Sequence, residues 1–257
     1  AQLVGTIKKV LAAAGIGKIN SESINMGGAL QQSLGGIETL FGAGGRSVEE
    51  YAPSGGKSVD AVKDEYASLM QSQQTVMDNA AQAYKTVGLS ANDYMEQTTS
   101  FAASLLSSVS EDTQAAADLA NMAMVDMADN ANKMGTDMQD IQNAYQGFAK
   151  QNYTMLDNLK LGYGGTKEEM QRLLADAEKL SGVRYDLSSY ADIVEAIHVI
   201  QTEMGITGTT AEEASTTIQG SVASMKAAWA NLMVGMADDT QDFDLLLINF
   251  IESIGTV

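Results

Sequence analysis

Histidine occurs once in this chain of 257 residues, at His198, and cysteine does not occur. Disulfides and thiolate metal sites are therefore excluded, and a Cys/His zinc site or a Ser-His-Asp triad would have to be built on His198 alone. No Gly-x-Ser-x-Gly elbow accompanies it. His198 stands among aliphatic residues in Ile193-Val194-Glu195-Ala196-Ile197-His198-Val199-Ile200, the setting of a packed or boundary histidine.

Three glycine-containing stretches invite a phosphate-binding reading. Gly56-Lys57-Ser58 has the ending of a P-loop, but the required first glycine falls at Tyr51 and no strand precedes it. Gly15-Ile16-Gly17-Lys18 fails for similar reasons. Gly162-Tyr163-Gly164-Gly165 opens a helix and could offer amides to an anion. Without a strand before it or basic residues around it, a tight helix-to-helix turn is the expectation. Among the carboxylates, Asp126 with Asp129 and Glu168 with Glu169 could be read as acid/base or calcium pairs. Neither has the alternating spacing of a calcium loop, and on an acidic helical protein such pairs are expected on solvated faces. A glycosidase pair draws on distant positions, so spacing leaves that reading open. No catalytic, cofactor or metal site is assigned from the sequence.

The formal charge of −18 argues against a nucleic-acid grip, because a phosphate backbone is held by clustered Lys and Arg. No stretch reaches the roughly 18 apolar residues that span a bilayer; the run Leu245 to Ile251 is short and carries Asn249. The chain opens on Ala1 without a secretory signal pattern and closes soon after that run, so a piece of a longer protein is expected.

The elements that would position these residues read as helices throughout. Pro53 is the only proline, and Ala, Gln and Met outweigh aromatic and β-branched runs. The expected fold is all-α, with about ten helices in a compact or elongated module and no significant sheet; Val183 to Leu187 is the one extended candidate. Residues 1–34 read as a helical lead-in, with a helix over Leu3 to Ala14 and another over Ser21 to Leu34, ended by Gly35-Gly36. Ser47 with Glu50 opens a short helix, and Ser58 and Ser90 cap longer ones. Ser110, Thr136 with Gln139, Thr166 with Glu169, Ser188 or Ser189, and Thr210 with Glu213 are expected to open the next five, the last running to Val234. Asp238 and Asp239 begin a further apolar helix within 236–257.

Met122, Met124, Met127, Met134 and Met138 crowd one region. Methionine fills irregular gaps and suits surfaces that repack. A plain soft core is the first expectation; a helix-packing interface of Met127, Met134 and Met138, with Trp229, is the second.

The stretch from Asp157 through Asn158-Leu159-Lys160-Leu161-Gly162-Tyr163-Gly164-Gly165-Thr166 to Leu174 resembles the signature of phage tail tape measure proteins, especially those of long-tailed phages and prophages of Gram-positive bacteria. Similar segments lie in order on both sides: Gly35 to Phe41, Ala128 to Gly135, Ile141 to Tyr153, Glu195 to Gln201, Gly205 to Ala211, Gln219 to Ser221 and Met225 to Trp229. The resemblance spans roughly Gly28 to Val234 and marks 35–235 as the family's helical module. It departs in one place, where 42–80, with Pro53 and two glycine pairs, replaces a shorter connection; a helical hairpin is expected there.

The resemblance implies a structural virion component that sits in the lumen of the tail tube in a few copies. Such proteins set tube length during assembly in the host cytoplasm and leave before the genome. It implies contact with itself, the tail tube protein and tail tip or baseplate proteins, with transient contact with the host membrane on ejection. It implies no cofactor and no specific nucleic-acid binding. Asn158, Leu159, Lys160, Gly162, Tyr163, Gly164, Gly165 and Thr166 are its candidate interface residues. Two alternatives stand beside it: a membrane-active helical domain, and a non-catalytic part of a tail-associated peptidoglycan hydrolase.

Overall fold

Helix follows helix through the whole of the computed structural model, which describes residues 21–216, 218–235 and 242–255. Among these residues the elements are α1 (Ser21–Phe41), α2 (Val48–Ser54), α3 (Val59–Thr86), α4 (Ala91–Ser108), α5 (Thr113–Met134), α6 (Met138–Phe148), a 3-10 turn (Leu156–Leu159), α7 (Lys167–Ser181), α8 (Tyr190–Glu203), α9 (Thr209–Thr216), α10 (Ile218–Gly235) and α11 (Phe243–Gly255). The fold is all-α, and no strand occurs among the described residues. Val183 to Leu187 forms a connection without strand pairing. The helix expected over Leu3 to Ala14 and the start expected at Asp238 and Asp239 lie outside the described residues.

Alanine decides where the centre lies. In α5, Ala116, Ala117, Ala120 and Ala123 are buried on more than one face, so neighbouring backbones approach closely all round. α5 packs against α1, α3, α4, α6, α8 and α9. Met124 and Met127 fill the space between them, and Ile37, Phe41, Leu105, Ile141 and Ile197 close the core from the surrounding helices.

Several helix ends differ from the expectation. α1 does not stop at Gly35-Gly36 but continues to Phe41. A β-carbon on Gly36 would lie 3.0 Å from the Thr99 methyl of α4, so this glycine serves a close helix crossing rather than a turn. α5 starts from Asp112, whose carboxylate accepts from the Ala115 amide at 3.0 Å. Ser110 and Glu111 belong instead to the wrap that ends α4; both are left-handed (φ 56° and 64°), and the Glu111 amide donates to the Leu106 carbonyl at 2.8 Å. Asp137, not Thr136, caps α6, through the Gln139 amide at 2.8 Å. The expected single helix from Thr210 to Val234 is two, α9 and α10. They cross so closely that a β-carbon on Gly220 would collide with the Glu213 carbonyl.

The interval 42–80 holds α2 and most of α3, packed on each other as a hairpin. Tyr51 and Tyr66 meet with ring centroids 5.8 Å apart, and Tyr51 donates to Glu65 at 2.6 Å. α3 runs on without a break, burying Val76, Ala80 and Ala83 in the main core, so no structural boundary falls at residue 80.

Candidate functional site

Asp126, Asp129 and Asn130 occupy positions i, i+3 and i+4 of α5 and therefore share one face. His198 and Gln201 stand three apart on α8 and meet that face. All the α5 members are buried, Asp126 and Asp129 with 0% exposure. The expectation of solvated faces for this carboxylate pair is thereby corrected. A buried carboxylate persists where donors converge on it, and each of the two has its own set.

His198 Nδ1 lies 2.9 and 3.1 Å from the two oxygens of Asp126. An ionised carboxylate only accepts, so Nδ1 carries the proton in this bond. Burial pushes the Asp126 carboxyl up to about 6, against the lowering effect of His198. The hydrogen bond to Asp126 in turn holds the imidazole above its usual value, opposed by partial burial. Asp129 reaches elsewhere. Its two oxygens accept from the amides of Gly208 at 2.6 Å and Thr210 at 2.8 Å, capping the N-terminus of α9 from 79 and 81 residues away. This corrects the reading of Thr210 as the cap.

Asn130 ties this cluster to the segment that begins with the 3-10 turn. Its amide donates to the Leu159 carbonyl at 2.9 Å and to Gln201 Oε1 at 3.0 Å, while Gln201 Nε2 donates to the Asp126 carbonyl at 3.3 Å. Thr136 Oγ1 donates to the Asn158 carbonyl at 2.9 Å, joining the start of α6 to this segment while Asp137 supplies the cap. Lys160 is left-handed at φ 54°, and its ammonium donates to the Met134 carbonyl at 3.0 Å, closing the C-terminus of α5. Leu159 and Leu161 point into the core on either side of it.

The glycines beyond Lys160 form a turn that supplies its own anion. The Gly164 amide donates to Glu169 Oε2 at 3.0 Å, and Thr166 Oγ1 accepts from the Glu169 amide at 3.2 Å. Arg172 Nη2 bridges the Gly162 carbonyl at 2.7 Å and Glu169 at 2.6 Å, with its guanidinium 4.3 Å from the Tyr163 ring centre. Arg172 and then the Gly164 amide hold the Glu169 carboxyl below its usual range. Burial, then the hydrogen bond to Asp176, pushes the Tyr163 hydroxyl up to about 12. Gly165 is required for space, since a β-carbon there would lie 2.9 Å from the Thr154 carbonyl carbon.

No protein-family model, curated protein or solved structure matches this chain.

Chemically, the cluster can hold a proton between Asp126 and His198 and can fasten helices. The Asp–His pair has the orientation found in the supporting half of a catalytic triad. Among the described residues, however, no hydroxyl is hydrogen-bonded to His198 Nε2, and no group of three His, Cys, Asp or Glu side chains could hold a metal ion. Residues 158–166 come together as one loop, tied to α5 by Lys160 and to α7 by Glu169 and Arg172. The methionines divide: Met127 is fully buried, while Met134 and Met138 are half-buried at the rim of the same core. Trp229 is apart from them, on α10, with its ring 5.1 Å from that of Phe250 in α11.

Sequence reasoning missed the Asp126–His198 contact and the Asp129 cap. The available signal was three polar residues at i, i+3 and i+4 on an Ala- and Met-rich helix, matched by His198 and Gln201 on an aliphatic one. Two polar stripes of that kind on apolar helices can satisfy each other only by meeting.

Proposed function

We propose that this chain is the helical module of a phage tail tape measure protein, a structural component that occupies the tail tube lumen and leaves ahead of the genome. The observation that carries the reading is the ordered resemblance from Gly28 to Val234, centred on Asp157 to Leu174. The construction of that central segment is compatible with a structural role. Its polar groups are spent on Asn130, Thr136, Met134 and its own Arg172 and Glu169. The net charge of −18 would keep such a module from adhering to the nucleic acid that follows it.

The partners of this reading are further copies of the chain, the tail tube protein and the tail tip or baseplate proteins. A continuous helix as long as this chain would reach under roughly 400 Å, so the ruler proper would lie mostly in other parts of a longer protein. Tails assembled on a parent protein shortened within its ruler should be shorter by about 1.5 Å for each helical residue removed. Tails of unchanged length would overturn the assignment.

A second reading, a membrane-active helical domain, draws on α11. Leu245, Ile248 and Ile254 of that helix are 51%, 38% and 46% exposed. No helix among the described residues is long and apolar enough to cross a membrane, so contact would be superficial. Leakage of dye from liposomes on adding the chain would favour this reading over the first.

A further inference from the structure

We infer that α9, α10 and α11 form an arm that swings away from the rest of the molecule as a unit, latched by two side chains that cap helix N-termini across the boundary. The first latch is Asp129 of the body, which accepts the Gly208 and Thr210 amides of the arm at 2.6 and 2.8 Å. The second runs the other way. Asn231 of α10 accepts the Ala91 amide, the first of α4, at 2.8 Å, 140 residues away. Each latch satisfies amides that a helix start leaves without an internal partner.

Apolar burial in the arm is confined to α10 and α11. α9 lies against α5 and α3 without burying any of its own residues. α10 packs against α1, α3 and α4, and Leu232, Met233 and Leu247 are buried in the arm; Ala227 and Ala228 form a small cluster with Tyr84, with Phe250 packed on it, separate from the main core, and Val234 joins the main core. The Lys85–Glu252 pair between body and arm, at 3.4 Å, is half-exposed on both sides and contributes little. The body has its own large core, so local opening should be drawn from this end of the molecule.

Within itself the arm is tightly tied. Gly220 sits against the Glu213 carbonyl, Ser221 Oγ donates to the Ala214 carbonyl at 3.2 Å, and Trp229 stacks at a tilt on Phe250. The connection from α8 supplies a pivot. Gly205 and Gly208 are both left-handed, at φ 65° and 88°, and neither has a neighbour within 4 Å of where a β-carbon would stand. Hinges are a few residues of this kind that absorb a large backbone change. The inference is independent of the tail reading and concerns only how the chain opens.

Hydrogen exchange followed by mass spectrometry on the whole chain tests it. In the unmodified protein α9, α10 and α11 should exchange with one common opening rate, ahead of α4, α5 and α8. Asp129→Ala should speed exchange throughout the three arm helices by at least about tenfold, with α4 and α8 unchanged. Asn231→Ala, a milder change should the first variant fold poorly, should open α9 as well, although it touches nothing there. Faster exchange confined to the residues beside each substitution, spread evenly over the body, or absent in both variants would overturn the inference.

Discussion

Asp126 and His198 meet at 2.9 Å across two helices, the carboxylate wholly buried and the imidazole side chain one-third exposed. A proton can therefore reach the pair from solvent through His198 without the helices parting. The buried partner is a charge that has lost its water and depends on that ring for compensation.

Folding raises the proton affinity of both groups, so the folded chain binds protons more tightly than the unfolded one. The stability contributed by His198 is complete below its unfolded value near 6.5 and is lost as pH rises through its raised folded value. The Asp126 shift, from the ordinary carboxylate range to about 6, acts with the same sign at lower pH. The urea midpoint should fall between pH 6 and pH 8.5. His198→Gln keeps a donor to Asp126 but does not titrate, and its midpoint should change less over that interval. Parallel curves for the two proteins would refute this account.

Lys160 combines a left-handed backbone with a hydrogen bond to the end of α5. Lys160→Gly relieves the backbone but loses the ammonium; Lys160→Ala loses the ammonium and keeps the strain. The glycine variant should be the more stable of the two by about 1 kcal/mol, because left-handed backbone disfavours a β-carbon by roughly that amount. Equilibrium unfolding in urea gives the difference.

Gly220→Ala should be among the most damaging small substitutions in the chain. The added methyl meets the Glu213 carbonyl, and backbone on both sides must move. A loss of about 1–3 kcal/mol is expected from overpacking of this kind, read as a lower melting temperature with helix content nearly unchanged at 20 °C.

Truncating methionines should separate core from rim. Met127→Ala empties a fully buried position and should destabilise by about 2–5 kcal/mol. Met138→Ala, at a half-buried rim position, should cost less than about 1 kcal/mol. Equal losses at both sites would mean that the rim is as closely packed as the core.

Three helix starts legible in the sequence are closed by a neighbour three residues on: Ser90 with Asp93, Thr166 with Glu169, and Ser189 with Asp192. Two of the misread starts involve a distant group, while α5 simply begins two residues later, at the local cap Asp112. Thr136 looks like a cap, but its hydroxyl donates to the Asn158 carbonyl and Asp137 caps α6 instead; α9 looks self-capped until Asp129 arrives from α5. Gly36 shows the same limit in another form. A glycine needed for close packing and a glycine needed for a turn are identical in one dimension, and only Thr99 on the facing helix distinguishes them. Apolar periodicity reports which face is buried, but not which polar residue on a second helix will share that face.

The Glu169 carboxylate, seated on the Gly164 amide and clasped by Arg172, fills from within the chain the anion position that the glycine turn offers. A phosphate drifting past, free in solution or strung along a nucleic acid, finds that seat already taken by a tenant tethered five residues away.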